Sequence, residues 1–172
     1  IDLPQGYKSG SQVTNLCNAY YDKFKPKELA DTQIMYLHGH GPGIFHTKKP
    51  VNKMEDLKGM KIRGTGTSAK VPAALGATPV AMAQTETYDA LQKGVVDGLV
   101  SPLEALKGWK FVEVTKCTTQ NLGSSYSIAF FVAMNKKKWD SLPKDVQETI
   151  QKVNQEWIGK TAETWNNMDK DA

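Results

Sequence analysis

The sequence predicts an α/β protein with a mostly parallel sheet, and three observations carry that prediction. Short β-prone runs alternate with helical patterns through the middle of the chain, from Ile44 to Lys107, joined by connections of a few residues. Apolar residues recur at steps of three and four in two longer stretches, Ser11 to Leu29 and the segment after Pro143, as in helices with one apolar face. Finally, Ile128-Ala129-Phe130-Phe131-Val132-Ala133-Met134 is apolar without alternation, which suits a strand covered on both faces.

Taken in order, Val13, Leu16, Cys17, Tyr20, Tyr21 and Phe24 mark the first helix, limited by Pro26. Gln33 to His38 reads as a strand leading into Gly39-His40-Gly41-Pro42-Gly43, where regular structure stops and the chain crosses over. Ile44 to Thr47 is the next strand and Met54 to Gly59 a short helical turn. Met60 to Arg63 is a strand, Gly64 to Ser68 a loop, and a helix runs on through Leu75. Thr78 to Met82 is a strand, Glu86 to Lys93 a helix stopped by Gly94, and Val95 to Val100 a strand and turn. Pro102 opens a helix from Leu103 to Lys107. Val112 to Thr119 and Ser127 to Met134 read as strands, with Gly123 to Ser125 a second crossing point. In the last helix Val146, Ile150, Val153, Trp157, Thr161, Trp165 and Met168 form one face that packs along its whole length.

Composition excludes several classes. The chain has 172 residues, 40% hydrophobic and 23% charged, and no apolar run long enough for a transmembrane helix. No cationic leader precedes an apolar stretch. The sequence opens on Ile1 and closes on Asp171-Ala172 within a helical pattern, so it reads as a piece of a longer chain. The net charge of +4 is dispersed: Lys23, Lys25 and Lys27 lie near Glu28 and Asp31, and Lys136 to Lys138 precede Asp140 and Asp145. Neither cluster has the interleaved aromatics of a nucleic-acid surface. Cys17 and Cys117 lack a CxxC spacing and read as buried free thiols, with a pairing left open.

The strongest chemical signal is Ile62-Arg63-Gly64-Thr65-Gly66-Thr67-Ser68-Ala69. It places a guanidinium at a strand end beside glycine-bearing backbone and hydroxyls at a helix start, the parts of a carboxylate site. The same residues fit G-x-G-x-x-A, with Glu86 further on, so a dinucleotide site is an alternative; Pro72 and the short helix argue against it. His38, His40 and His46 invite a metal reading, but no acidic or thiol ligand lies near. Neither G-x-S-x-G nor H-E-x-x-H occurs, so an enzyme is disfavoured. Of the aromatic residues, Tyr126 beside the glycine-serine turn is the best candidate for a cleft wall, whereas Trp109, Trp139, Trp157 and Trp165 read as core.

Several ordered motifs then resemble one family. Glu55-Asp56-Leu57-Lys58-Gly59-Met60-Lys61-Ile62-Arg63, Leu75-Gly76-Ala77-Thr78-Pro79-Val80-Ala81-Met82, Glu86 to Gly98, Lys110 to Val114 and Lys138 to Pro143 look like the substrate-binding proteins of tripartite ATP-independent periplasmic (TRAP) transporters, the DctP family. The resemblance runs from about Thr32 to the end. It implies two α/β lobes joined by crossing strands and a long helix, closing over a ligand about a hinge. Residues 1–40 would be part of lobe one leading to the hinge, 41–125 lobe two, and 126–172 the return strand and long helix. Family members are longer, so this chain would lack the first units of lobe one and the last elements after the long helix.

By the same resemblance Arg63 grips the ligand carboxylate; Thr65 stands in the loop beside it, and His40, Gln84, Ser101 and Tyr126 are expected to meet the rest of the ligand. Gly43 stands where many sialic-acid and dicarboxylate binders carry a second arginine. Gln84 replaces a frequent aromatic residue, and Ser101 replaces the asparagine of Gln-Glu-Asn-Pro. These departures point to a monocarboxylate. The implied role is periplasmic capture of a small organic acid and delivery to a membrane permease pair, from a precursor with a signal peptide. No cofactor or metal is expected. The alternatives are an NAD-linked oxidoreductase using Gly64 to Ala69 and a sensory ligand-binding domain of the same fold.

Overall fold

The computed structural model describes residues 4–172. In chain order its elements begin with helix α1 (Gly10–Phe24), strand β1 (Thr32–Gly39), β2 (Ile44–Thr47), β3 (Lys61–Gly64), α2 (Lys70–Ala74), β4 (Thr78–Ala81) and α3 (Gln84–Gln92). They continue with β5 (Gly98–Ser101), α4 (Glu104–Gly108), β6 (Cys117–Thr119), β7 (Ala129–Asn135), α5 (Lys136–Asp140) and α6 (Lys144–Asp171).

Helix α1 starts where the Ser9 hydroxyl accepts the N–H of Gln12 at 3.3 Å, and ends at Lys25 in the left-handed conformation. Pro26 follows, and the remainder of the expected helix is a single 3-10 turn, Lys27–Leu29. Val13, Thr14 and Cys17 are buried; Leu16, Tyr20 and Phe24, expected on the same covered face, are exposed. The buried stripe is narrow because α1 meets β1 closely along one line. A side chain at Gly39 would place its Cβ 2.2 Å from Val13 Cγ1, so only glycine permits this approach. Asn18 completes the contact, donating to the Leu37 carbonyl at 2.7 Å and accepting the Leu37 N–H at 3.0 Å.

β1 pairs antiparallel with β7 in a two-stranded sheet, from Thr32 opposite Asn135 to Gly39 opposite Ala129, with a register shift between Ile34 and Tyr36. Tyr7, Val13, Cys17, Ile34 and Leu37 form its core. The expectation that the Ile128 to Met134 run is covered on both faces is not met. Among the described residues β7 pairs only with β1, and Phe131 is 61% exposed. The apolar face of α6 differs likewise: Ala162 is buried, but Val146, Val153, Trp157 and Met168 are exposed. α6 is held in part by polar bonds. Thr161 meets Tyr36 at 3.4 Å, Asn166 donates to Ser11 at 2.6 Å, and Asp169 accepts the Glu104 N–H at 2.9 Å.

The larger sheet has five strands in the order β4-β3-β5-β2-β6. It is mixed rather than mostly parallel. β3 runs parallel to β4 and β5, while β2 is antiparallel to β5 and β6. Strands joined by helical crossovers, through α2 and α3, are parallel; β2 and β6 are not joined to their neighbours in that way. Alternation along β5 splits the core, Val100 joining Phe45 and Ile62 on one face and Leu99 joining Leu91, Val96 and Phe111 on the other. The strand expected over Val112 to Thr119 shrinks to β6. Lys110 takes a left-handed conformation and Phe111–Glu113 forms a 3-10 turn that drops Phe111 into the core. Trp139 is buried as expected, and both cysteines are free, Cys17 buried and Cys117 half-buried.

Candidate functional site

The two sheets meet where two crossings lie side by side. His40 to Gly43 leads from β1 into β2, and Ser125 to Ser127 leads back towards β7. Gly43 N–H donates to the Tyr126 carbonyl at 2.7 Å, and Ser127 Oγ donates to the His40 carbonyl at 2.8 Å. The Tyr126 ring packs closely against Gly43: a Cβ there would overlap ring Cε1. The space a second arginine would need at position 43 is therefore filled by an aromatic ring.

Beside these crossings lies a cavity of about 510 Å³ walled by both sheets. β3 and β5 deliver Arg63 and Ser101 at their carboxyl ends, with Thr65 and Pro102 just beyond. Binding outside the carboxyl ends of parallel strands is the general habit of α/β sheets. Gln84 opens α3, Glu104 opens α4 and Trp109 follows its last residue. The smaller sheet and its helix supply His38, His40, Ile128, Phe130, Phe131 and Trp165. The structure thus brings Arg63, Thr65, Gln84, Ser101, His40 and Tyr126 to one cavity.

Arg63 is 1% exposed and forms no ion pair among the described residues. Its Nε and Nη2 donate to the Met82 carbonyl at 3.2 and 3.0 Å, which fixes one edge of the fork and leaves Nη1 without a hydrogen-bond partner among the described residues. A carboxylate would therefore meet the Nη1–Nη2 end of the guanidinium. Burial lowers the Arg63 pKa, with Tyr126 acting the other way, and a guanidinium remains charged nonetheless. Of the backbone donors expected nearby, the Thr65 N–H is already given to Ser68 Oγ at 2.9 Å. The helix behind the loop is a 3-10 turn followed by the five residues of α2, a poor seat for a pyrophosphate.

The aromatic wall is ordered by hydrogen bonds. Trp165 Nε1–H donates to His38 Nδ1 at 3.0 Å, and the Phe130 and Trp165 rings stack at 5.8 Å between centroids, 9° from parallel. His38 stacks on Phe130 at 5.1 Å, and His40 stands edge-on to Tyr126 at 5.4 Å. Tyr126 OH donates to the Val100 carbonyl at 3.0 Å. Desolvation lowers the pKa of His38, and that of His40 to about 4. His46 lies elsewhere, bound to Thr118 Oγ1 at 3.0 Å and the Ser101 carbonyl at 3.1 Å. The three histidines thus form no metal centre, and no cluster of metal-ligating side chains exists among the described residues.

Sequence reasoning missed His38, Glu104, Trp109, Phe130, Phe131 and Trp165 as cavity residues. His38 had a signal, since residues two apart on a strand share a face with each other, here with His40. Trp109 and Trp165 had none, because a tryptophan that faces a cavity and one that faces a core obey the same periodicity.

A cavity between the two sheets, bordered by paired crossings and walled by a buried arginine that has no ion pair among the described residues, has the form of a binding site for a small molecule. The chain belongs to family 7 of the bacterial extracellular solute-binding proteins (DctP), whose family model matches residues 2–172. It is 38% identical over 160 residues to the C4-dicarboxylate-binding periplasmic protein DctP of Rhodobacter capsulatus, covering 89% of this chain and 46% of that protein. Among solved structures, a TRAP solute-binding protein of Rhodoferax ferrireducens, with copurified benzoate, superposes with a TM-score of 0.87 at 32% identity, covering 99% of this chain and 56% of that one. A marine metagenome TRAP protein specific for aromatic acids, in complex with metahydroxyphenylacetate, gives a TM-score of 0.88 at 30% identity, covering 98% of this chain and 54% of that one. The chain thus spans about half the length of these relatives.

Proposed function

We propose that the chain is the central to C-terminal part of the periplasmic solute-binding component of a TRAP transporter, and that it captures an aromatic monocarboxylate. On this reading residues 41–125 form one lobe, the flanking segments belong to the other, and the loaded protein delivers its ligand to membrane permease subunits. The observation that carries it is Arg63, the one arginine or lysine among the described residues of the cavity wall, which it shares with aromatic rings from both sheets. Glu104 on the same wall opposes a second carboxylate, which favours the aromatic-acid relatives over the C4-dicarboxylate relative as guides to the ligand. On this reading the role is binding and not catalysis, as the transport relatives support.

Mechanistically, the fork end of Arg63 orients the carboxylate in a water-poor site, where charge-assisted hydrogen bonds are strong. The rings of Phe130, Trp165 and Tyr126 remove the aryl group from water. Closure is favoured only by contacts that the open state lacks, which here means ligand held from both sheets at once. Calorimetry on the full-length protein with benzoate, benzamide, succinate and NAD tests the reading. Benzoate binds, the others do not, and Arg63→Ala weakens benzoate by about 10- to 100-fold. Equal binding of benzamide, an unaltered affinity in the Arg63 variant, or a response to NAD alone would overturn it.

A further inference from the structure

The cavity wall holds more hydrogen-bond acceptors than its protein partners use, and His40 is the most constrained of them. His40 is 3% exposed, and its Nδ1 lies 2.5 Å from the Gly41 carbonyl. A carbonyl only accepts, so Nδ1 carries the proton and Nε2 presents a lone pair in the neutral ring. Nε2 has no hydrogen-bond partner among the described residues, yet no fully enclosed side-chain nitrogen or oxygen there lacks one. Nε2 therefore reaches open space, and the space this ring borders is the cavity. A neighbouring group has the same polarity. Ser101 spends its proton on the Pro102 carbonyl at 3.2 Å, so its oxygen can only accept from a ligand.

An unsubstituted aromatic acid would satisfy Arg63 and leave the His40 lone pair buried against a ring, a costly arrangement. We infer that the ligand is a hydroxylated aromatic carboxylic acid, and that His40 Nε2 selects it by accepting the hydroxyl proton. Burial holds the His40 pKa at about 4, which keeps the ring neutral and the lone pair available at neutral pH. The inference rests on the carboxylate reading of Arg63 and goes beyond it. The relatives bind both benzoate and a hydroxylated acid, so the fold alone does not make this choice.

The test is calorimetry on the full-length protein with benzoate, its three hydroxy isomers, the matching methoxybenzoates and benzamide. In the unmodified protein one hydroxy isomer binds about tenfold tighter than benzoate and its methoxy counterpart, which cannot donate. In His40→Phe the two affinities converge to within about twofold, while His40→Gln, which can still present an acceptor, restores most of the preference. If benzoate and the methoxy acids match every hydroxy isomer in the unmodified protein, the inference is wrong whether or not the variants fold. A preference that survives His40→Phe also overturns it, because another group would then be the acceptor. Should benzamide bind as well as the acids, the carboxylate reading itself falls, a result distinct from loss of hydroxyl selectivity alone.

Discussion

Replacing His46 by glutamine should remove about 2 kcal/mol of an acid sensitivity that the fold builds into itself. His40 and His46 are both buried as neutral rings, and desolvation lowers each from 6.5 to about 4. A base whose folded pKa lies below its unfolded value binds more protons when unfolded. The contribution is therefore complete above pH 6.5 and is lost as pH falls through the window down to about 4. At pH 5 an unfolded histidine is almost wholly protonated and a native one about a tenth so, which destabilises the fold by about 2 kcal/mol per ring. The pair thus removes about 4 kcal/mol between pH 8 and pH 5. Burial raises the pKa of Glu104 and Asp169, which works in the opposite direction but is common to both proteins and cancels in the comparison. In His46→Gln the amide can still donate to the Ser101 carbonyl, and it does not titrate. Urea unfolding at pH 8 and pH 5 checks the outcome: the histidine-linked loss should fall by about 2 kcal/mol, the contributions of His38 and His40 being common to both proteins. An identical pH dependence in variant and parent would show that His46 is not the buried neutral base described, and the reasoning would fail.

Three further outcomes follow from the packing. Gly43→Ala drives a methyl group into the Tyr126 ring, itself held by the Val100 carbonyl, and should cost about 1–3 kcal/mol in denaturant unfolding. Most of that cost should vanish when the substitution is made beside Tyr126→Ala, and a persistent cost would place the clash elsewhere. Asn18→Ala leaves the Leu37 N–H and carbonyl without the amide that brackets them, with an expected loss of about 1–3 kcal/mol, and Asn18→Asp should retain only the accepting half. Asp169→Ala removes the acceptor at the start of α4, so stability should drop by about 1 kcal/mol, whereas Asp169→Asn, keeping an oxygen there, should lose less.

The sequence conveyed the order of elements and Arg63 far better than it conveyed what covers them. The strand at Ile44 to Thr47 stands where the β-prone run places it, and Gly94, at φ +75°, stops its helix by supplying a left-handed conformation. Arg63 was legible because a charged group between a strand and a glycine turn needs a reason to be there. Periodicity failed at Val153 and Trp157, since an apolar stripe reports that a face avoids water and not what lies against it. The mixed sheet was hidden for a related reason. Strand direction depends on whether a connection passes through a crossover helix or through a crossing between sheets, and Gly39 to Gly43 gives both the same local signal. His40 was visible as a candidate, but its role as an acceptor comes from the Gly41 carbonyl beside its Nδ1, a geometry no spacing contains.

Trp165 gives the molecule an optical property. Its indole N–H is tied to His38 and its ring forms part of the cavity wall, so anything entering displaces water from a chromophore of fixed orientation. Trp139 is buried away from that wall, and Trp157, 49% exposed, is open to aqueous quenchers such as iodide. With the Trp157 emission quenched, the remaining fluorescence is weighted towards the cavity, and occupancy becomes readable as a change in intensity without any attached label.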